Sequence, residues 1–412
     1  MDFLPKLPVL EHLIKDVEIC KEGNWHIVSV QHLMRSTGSM FRYLIDIGFI
    51  PEDIWVLSKV YSFNKITAME LQKLGVNVEY PTDRFALGEY ANSLKKDVVR
   101  MWGKVQQCLK DGDRIIVLDD GGFCISSIPG VVLQNYEVYG IEQTSSGIRM
   151  KHNFDLVPVI NVAESAAKRL IEPAIVSEAV QIKLGEKIRQ MHPNKIGLVG
   201  FGVIGQAVYR DLVNDYRVVV FDVLLNDSID AKVDVVDSVS LIYNNCDLII
   251  GATGNDISSP DWYFNAKGDK SLLSISSGDI EFNGLLKVIH KFHTEKIQSP
   301  LDDIDVFTPS GFSIKIARGG LVANFTGEPD SSPSEIIQFT RGLLISAIIM
   351  ILNNHKRMIE PGNLMLDPSL QQYVFRKWIE FNPDRCGDYS PAVQSVFKSI
   401  KTIVDHSGGR EL

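Results

Sequence analysis

Between residues 196 and 223 the chain reads IGLVGFGVIGQAVYRDLVNDYRVVVFDV. A β-branched apolar run leads into Gly200, Gly202 and Gly205, spaced G-x-G-x-x-G. A segment of helical periodicity and a second apolar run follow. Few architectures admit strand, tight turn, helix and strand in that succession; it is the opening unit of a doubly wound α/β sheet. The first glycine permits the turn, the second lets backbone approach a pyrophosphate, and the third lets helix and strand pack closely. Val203 and Ile204 begin the helix, whose N-terminus then faces the phosphates. Asp222 ends the next strand, seventeen residues past Gly205. A carboxylate there accepts hydrogen bonds from ribose hydroxyls, so the expected cofactor is NAD in preference to NADP.

The rest of the chain supplies a second unit of the same kind. Asp53–Ser58, Arg114–Asp120 and Val157–Val162 read as buried strands, with helices at Met69–Leu74 and Tyr90–Leu109 between them. A helix is expected from Glu172 to Met191. Val233–Asp237, Asp247–Thr253 and Ser271–Ser276 extend the glycine-turn unit, and a long helix at Pro333–Leu352 closes it. The expected fold class is α/β, with two Rossmann-like doubly wound parallel-sheet domains. A substrate domain at 1–180 and its C-terminal return at 355–412 enclose an NAD-binding domain at 181–354.

Length and composition fit this: 412 residues, 45% hydrophobic and 23% charged, suffice for two packed cores. The net charge of −9, with no Lys/Arg cluster, argues against nucleic-acid or anionic-membrane partners. Five scattered cysteines (Cys20, Cys108, Cys124, Cys246, Cys386) read as free thiols of a cytoplasmic protein. The charged N-terminus does not read as a secretory signal, and the apolar run Gly342–Leu352 is too short for a bilayer. His290 and His293 have no third ligand nearby in sequence, so no metal site is expected.

Several segments resemble the S-adenosylhomocysteine hydrolase family in order and spacing. They are LDDGG (118–122), GIEQTSSG (140–147), VINVAESAAK (159–168), the glycine turn, ATGNDI (252–257), SISSGDIEFNG (274–284) and GGLVANFTGEP (319–329). The resemblance implies a permanently bound NAD that transiently oxidises a 3′ hydroxyl, so that the 4′ hydrogen becomes acidic. It makes Lys168 the group on the 3′ oxygen and Asp120 an active-site aspartate. It also implies that His32 is a general acid–base at the 5′ position and that Glu172 is a retained acid. To the cofactor set it adds Thr144, Ser145, Ser146, Thr253, Gly254, Asn255, Ser276 and Asn324. Asp279 and Glu281 fall where the family has a structural turn.

The departures lie at the expected substrate. Gln143 replaces a ribose-binding glutamate, Met34 and Ser36 replace adenine-pocket residues, Ser277 replaces a histidine, and Ser177 a cysteine. The family's G-H-P is absent, with Asp330 or Glu328 in its place, and the C-terminal Lys…Tyr arm has no counterpart. The expectation is an adenosylhomocysteinase-like hydrolase or lyase acting on another nucleoside-type substrate by elimination, hydration or epimerisation. The alternatives are a non-catalytic NAD-binding regulatory homologue and a true S-adenosylhomocysteine hydrolase with an atypical pocket. A homo-oligomer is expected, a dimer favoured, with helix Pro333–Leu352 as one candidate interface.

Overall fold

The computed structural model describes residues 3–224, 233–293, 295, 297, 299–325 and 328–383. The tail from 384, Cys386 included, lies outside them. Thirteen strands occur among the described residues. They are β1 (Trp25–Gln31), β2 (Ile54–Ser58), β3 (Asn77–Glu79), β4 (Arg114–Asp119), β5 (Glu137–Glu142), β6 (Pro158–Asn161), β7 (Ile196–Val199), β8 (Val218–Phe221), β9 (Leu248–Gly251), β10 (Lys270–Ser274), β11 (Ile304–Phe307), β12 (Ser313–Ile316) and β13 (Gly362–Met365).

The chain divides into two compact units. The first draws on the described residues of 1–81, 94–175 and 327–412, the second on those of 82–93 and 176–326.

The first unit has one parallel sheet in the order β3-β2-β1-β4-β5-β6-β13. Every residue of β1 and β2 is buried, as strands covered on both faces require. Strand order reverses between β1 and β4, so the loops after these two strands flank a crevice at the sheet's C-terminal edge. Helix Ser334–Asn354 packs into this unit's core, with Phe339, Leu343, Leu344 and Ile348 fully buried against the same cluster as Ile27 and Leu118. It therefore belongs to the first unit, contrary to the expected boundary at 354, and its faces are interior to the fold, contrary to an interface role. Segment Ser334–Arg357 is long and apolar enough to cross a membrane by length and composition, yet 83% of its apolar window is buried within the protein.

The second unit has the order β8-β7-β9-β10-β12-β11, parallel except for β11 against β12. The expected strand at Val233–Asp237 contracts to a bridge from Val235 to Val220, held by Val220 N to Asp234 O at 2.8 Å and Val236 N to Val220 O at 3.0 Å. Asp234 and Asp237 leave too little apolar surface for a longer strand. Helix Ala166–Met191 begins six residues before the expected start at Glu172 and runs through Pro173. Both sheets thus share one winding, and each places a switch point at its C-terminal edge.

Candidate functional site

In the first unit, the residue after each of four strands turns into one polar cluster. His32 follows β1, Lys59 follows β2, Asp120 follows β4 and Gln143 follows β5. Lys168 comes from the first turn of the helix after β6. Parallel strands in register bring these ends together, since Gln31 pairs with Ser58 and Asp119 with Glu142.

Asp120 is the hub. Its Oδ1 accepts from Lys59 Nζ and its Oδ2 from Gln143 Nε2. Burial alone would raise its pKa, but the Lys59 charge together with the hydrogen bonds from Lys59 and Gln143 outweighs this and holds the carboxyl well below its ordinary range. Lys59 is likewise buried, and Asp120 holds it protonated above the usual lysine value despite that burial. His32 Nε2 lies 3.4 Å from Asp120 Oδ2, and its Nδ1 lies 2.7 Å from Ser62 Oγ. Burial lowers the His32 pKa to about 3, so the imidazole is neutral at physiological pH. Lys168, 4% exposed, donates to the Gln143 carbonyl and lies 3.2 Å from Glu172 Oε2, one helical turn on.

Beneath the cluster sits Glu142. Its Oε1 accepts from Gly121 N at 3.2 Å and from Thr144 N and Oγ1 at 2.7 Å each. Burial, then the neighbouring Asp119, pushes its pKa well up, and burial raises that of Asp119 too. Thr144 caps helix Ser145–Arg149 by accepting from Gly147 N at 3.1 Å, and Ser146 Oγ donates to Thr144 Oγ1. The hydroxyl run expected on the cofactor thus works as a helix cap in the first unit. Met34 and Ser36 are buried at the start of helix Arg35–Asp46, where Ser36 N donates to Asp330 Oδ1 at 3.3 Å.

In the second unit the glycine turn follows β7, beside β9 at the reversal of strand order. Gly200 has φ +101°, and a Cβ there would lie 2.7 Å from the Ala252 carbonyl. A Cβ on Gly205 would lie 2.1 Å from Gly200 O, whereas one on Gly202 would meet no protein atom within 4 Å. The side of the turn that a pyrophosphate approaches is thus clear. Asp222 accepts from Phe201 N at 2.6 Å and Leu224 N at 2.8 Å, which fixes its carboxylate at the end of β8. Glu281, fully buried, accepts from the amides of Thr253 and Gly254 at 2.6 Å each and braces the loop after β9. Gly254 N also lies 3.1 Å from Ser276 Oγ, and Asn255 closes the same turn through Thr253. Asn324 is 7% exposed, and its Oδ1 has no hydrogen-bond partner. The clear face of Gly202 and this orphaned acceptor fit a dinucleotide.

Of the residues expected at one site, Lys168, Asp120, His32, Glu172 and Gln143 do assemble in the first unit. Ser277 lies exposed in the second unit after β10, and Ser177 bonds Asp211 there. The sequence reading missed Lys59, Glu142 and Arg341. Lys59 carried a usable signal, being the residue after a buried strand, as Asp120 is. Glu281 stood in the sequence as part of a structural turn, and its buried amide contacts are of that kind.

No family model matches the chain. It is 27% identical over 332 residues to two proteins of Mycobacterium tuberculosis, Uncharacterized protein MT0113 of strain CDC 1551 / Oshkosh and Uncharacterized protein Rv0104 of strain ATCC 25618 / H37Rv. The match covers 78% of this chain and 63% of each relative, so the chain spans less than two thirds of the length of the curated relatives it matches. Among solved structures it is similar to an NAD+-bound 3-phosphoglycerate dehydrogenase of Entamoeba histolytica, with TM-score 0.41, 10% identity and coverage of 82% of this chain and 99% of that one. It is similar also to a D-lactate dehydrogenase of a Sporolactobacillus species, with TM-score 0.34, 12% identity and coverage of 82% and 99%. An NAD-dependent formate dehydrogenase of Staphylococcus aureus has TM-score 0.34, 12% identity and coverage of 70% and 87%.

These findings overturn the family resemblance. The similar structures are dehydrogenases, not adenosylhomocysteinases. The hydrolase or lyase, its silent homologue, the atypical S-adenosylhomocysteine hydrolase and the nucleoside-type substrate are withdrawn. The geometry shows why the motifs misled: much of the shared pattern, from Thr144 to Glu281, holds loops together at the ends of parallel strands. The doubly wound fold stands, as the two sheets show.

Proposed function

We propose that the protein is an NAD-dependent oxidoreductase that moves hydride between the dinucleotide and a hydroxyl-bearing carbon of a small substrate. The observation that carries this reading is the glycine turn at the second sheet's switch point, sterically closed at Gly200 and Gly205 and clear at Gly202. Gly200 to Gly205 would hold the pyrophosphate, Asp222 the adenosine ribose, and the loop Thr253–Asn255, Ser276 and Asn324 the remainder. NAD supplies the hydride acceptor; the chain supplies the charges. Within the first unit, Lys168 has a third N–H beyond those used on Gln143 and Glu172, suited to an oxygen of a small molecule. His32 stays neutral, so Lys168, Lys59 and Asp120 set the potential in this first-unit cluster. Cys20, Cys108, Cys124 and Cys246 are free thiols, which supports a reducing, cytoplasmic setting.

Calorimetric titration with NAD and with NADP tests the cofactor assignment. NAD should bind more tightly, and Asp222→Ala should weaken it by about 1–3 kcal/mol, the loss of charge-assisted hydrogen bonds. Tighter binding of NADP, or no binding of either, would contradict it.

A further inference from the structure

Arg341 is the one charged side chain in the middle of helix Ser334–Asn354, and it is 5% exposed. Its Nε has no hydrogen-bond partner. A buried guanidinium with an unused donor is costly, because desolvation falls on a group that cannot shed its charge. The carboxylates that act on it are Asp120, Asp330 and Glu172. Each already has its own cation. Asp120 is held by Lys59, Glu172 by Lys168 at 3.2 Å, and Asp330 by Arg35 at 3.7 Å. His32, which also feels Arg341, is neutral. Asp119 and Glu142 lie on the same buried cluster, beside Asp120 and Lys59. Among the described residues Arg341 is the cation of this group that has no carboxylate within ion-pair distance. A second atom of the cluster is also unused: Gln143 Oε1 is buried without a partner, while its Nε2 is committed to Asp120.

We infer that Arg341 anchors an anion-binding subsite in the first unit, shaped for a small substrate that carries an anionic oxygen group beside its hydroxyl. The inference deepens the oxidoreductase reading and rests on it for the hydroxyl. The guanidinium fork supplies paired N–H donors to a carboxylate or phosphate. Gln143 Oε1 supplies an acceptor for the hydroxyl. A bound anion would pair the guanidinium and satisfy its idle donor together, so the substrate class is a small hydroxy acid or its phosphorylated equivalent.

The test is calorimetric titration of the full chain with oxalate and, separately, with inorganic phosphate, using wild type, Arg341→Met and Arg341→Lys. One of the two anions should bind wild type at one site and bind Arg341→Met at least about thirtyfold more weakly, as for loss of a buried charge partner. Arg341→Lys, which keeps the charge and lacks the fork, should fall between and serves as the readout if Arg341→Met does not fold. Dependence on Arg341 for oxalate marks a carboxylate ligand, and for phosphate a phosphorylated one. Binding of both anions unaffected in the variants, or of neither anion to wild type, would overturn the inference. NAD titrated into the same three proteins should bind equally. If NAD fails to bind while the anion still depends on Arg341, the oxidoreductase reading falls and the subsite stands.

Discussion

Lys59 and Asp120 show what a buried charge requires of its neighbours. Each would be pushed toward neutrality by burial alone, and each keeps its charge through the other. The pH consequence follows from the sign of the shifts. Asp120 has a depressed folded-state pKa, so its stabilisation is present above the unfolded value, near 3.8, and is lost as pH falls below that toward the folded value. Lys59 has a raised one, so its share is full below the unfolded value of 10.5 and is lost only above it. Lys59→Met should therefore cost about 3–5 kcal/mol at pH 7, because Asp120 is left unpaired. At pH 4 the deficit in urea unfolding should shrink, since the lone carboxyl can then take up a proton. An equal deficit at both pH values would show that Lys59 contributes packing and not charge. Asp120, Gln143 and Lys168 were named only through the family resemblance, and they gather in the first unit because each stands just past a strand of one parallel sheet. Arg341 was not named, because a single charge in an apolar helix has no periodicity to announce what surrounds it.

The glycine turn was the most legible element, since backbone geometry dictates residue type at each of its positions. Its three glycines nonetheless differ in what they exclude. Gly205 is needed by the fold, because a Cβ would strike Gly200 O, whereas Gly202 faces no protein atom. Gly205→Ala should lower the melting temperature by several degrees and abolish NAD binding, a loss of order 1–3 kcal/mol or more from overpacking. Gly202→Ala should melt like wild type and still bind NAD at least about tenfold more weakly, since the methyl meets only the ligand. Equal melting temperatures for the two variants would contradict this division. Elsewhere, element limits were less legible. The helix expected from Glu172 starts at Ala166 and runs through Pro173, held by tertiary contacts of Ile171 and Ile175. Val233–Asp237 had the composition of a strand end but only one bridge's worth of pairing.

At the scale of the whole molecule, alternating strands and helices announced two parallel sheets, and both are present with the same winding. The unit to which helix Ser334–Asn354 belongs was not announced. An apolar helix says that it is buried and not in which core, and long-range packing against Leu7, Phe41 and Trp378 decides it. The reaction was misread for a related reason: loops at the C-terminal edges of doubly wound sheets meet similar backbone demands whatever chemistry they serve. A dehydrogenase differs from an enzyme that borrows a bound NAD in one measurable respect, which is net reduction of free cofactor. Absorbance at 340 nm should therefore be followed with excess NAD, a panel of small hydroxy acids and, separately, S-adenosylhomocysteine. The account predicts many equivalents of NADH per protein with at least one hydroxy acid, and a loss of roughly a hundredfold or more in Lys168→Ala. No NADH with any hydroxy acid, or homocysteine released from S-adenosylhomocysteine without net NADH, would contradict it.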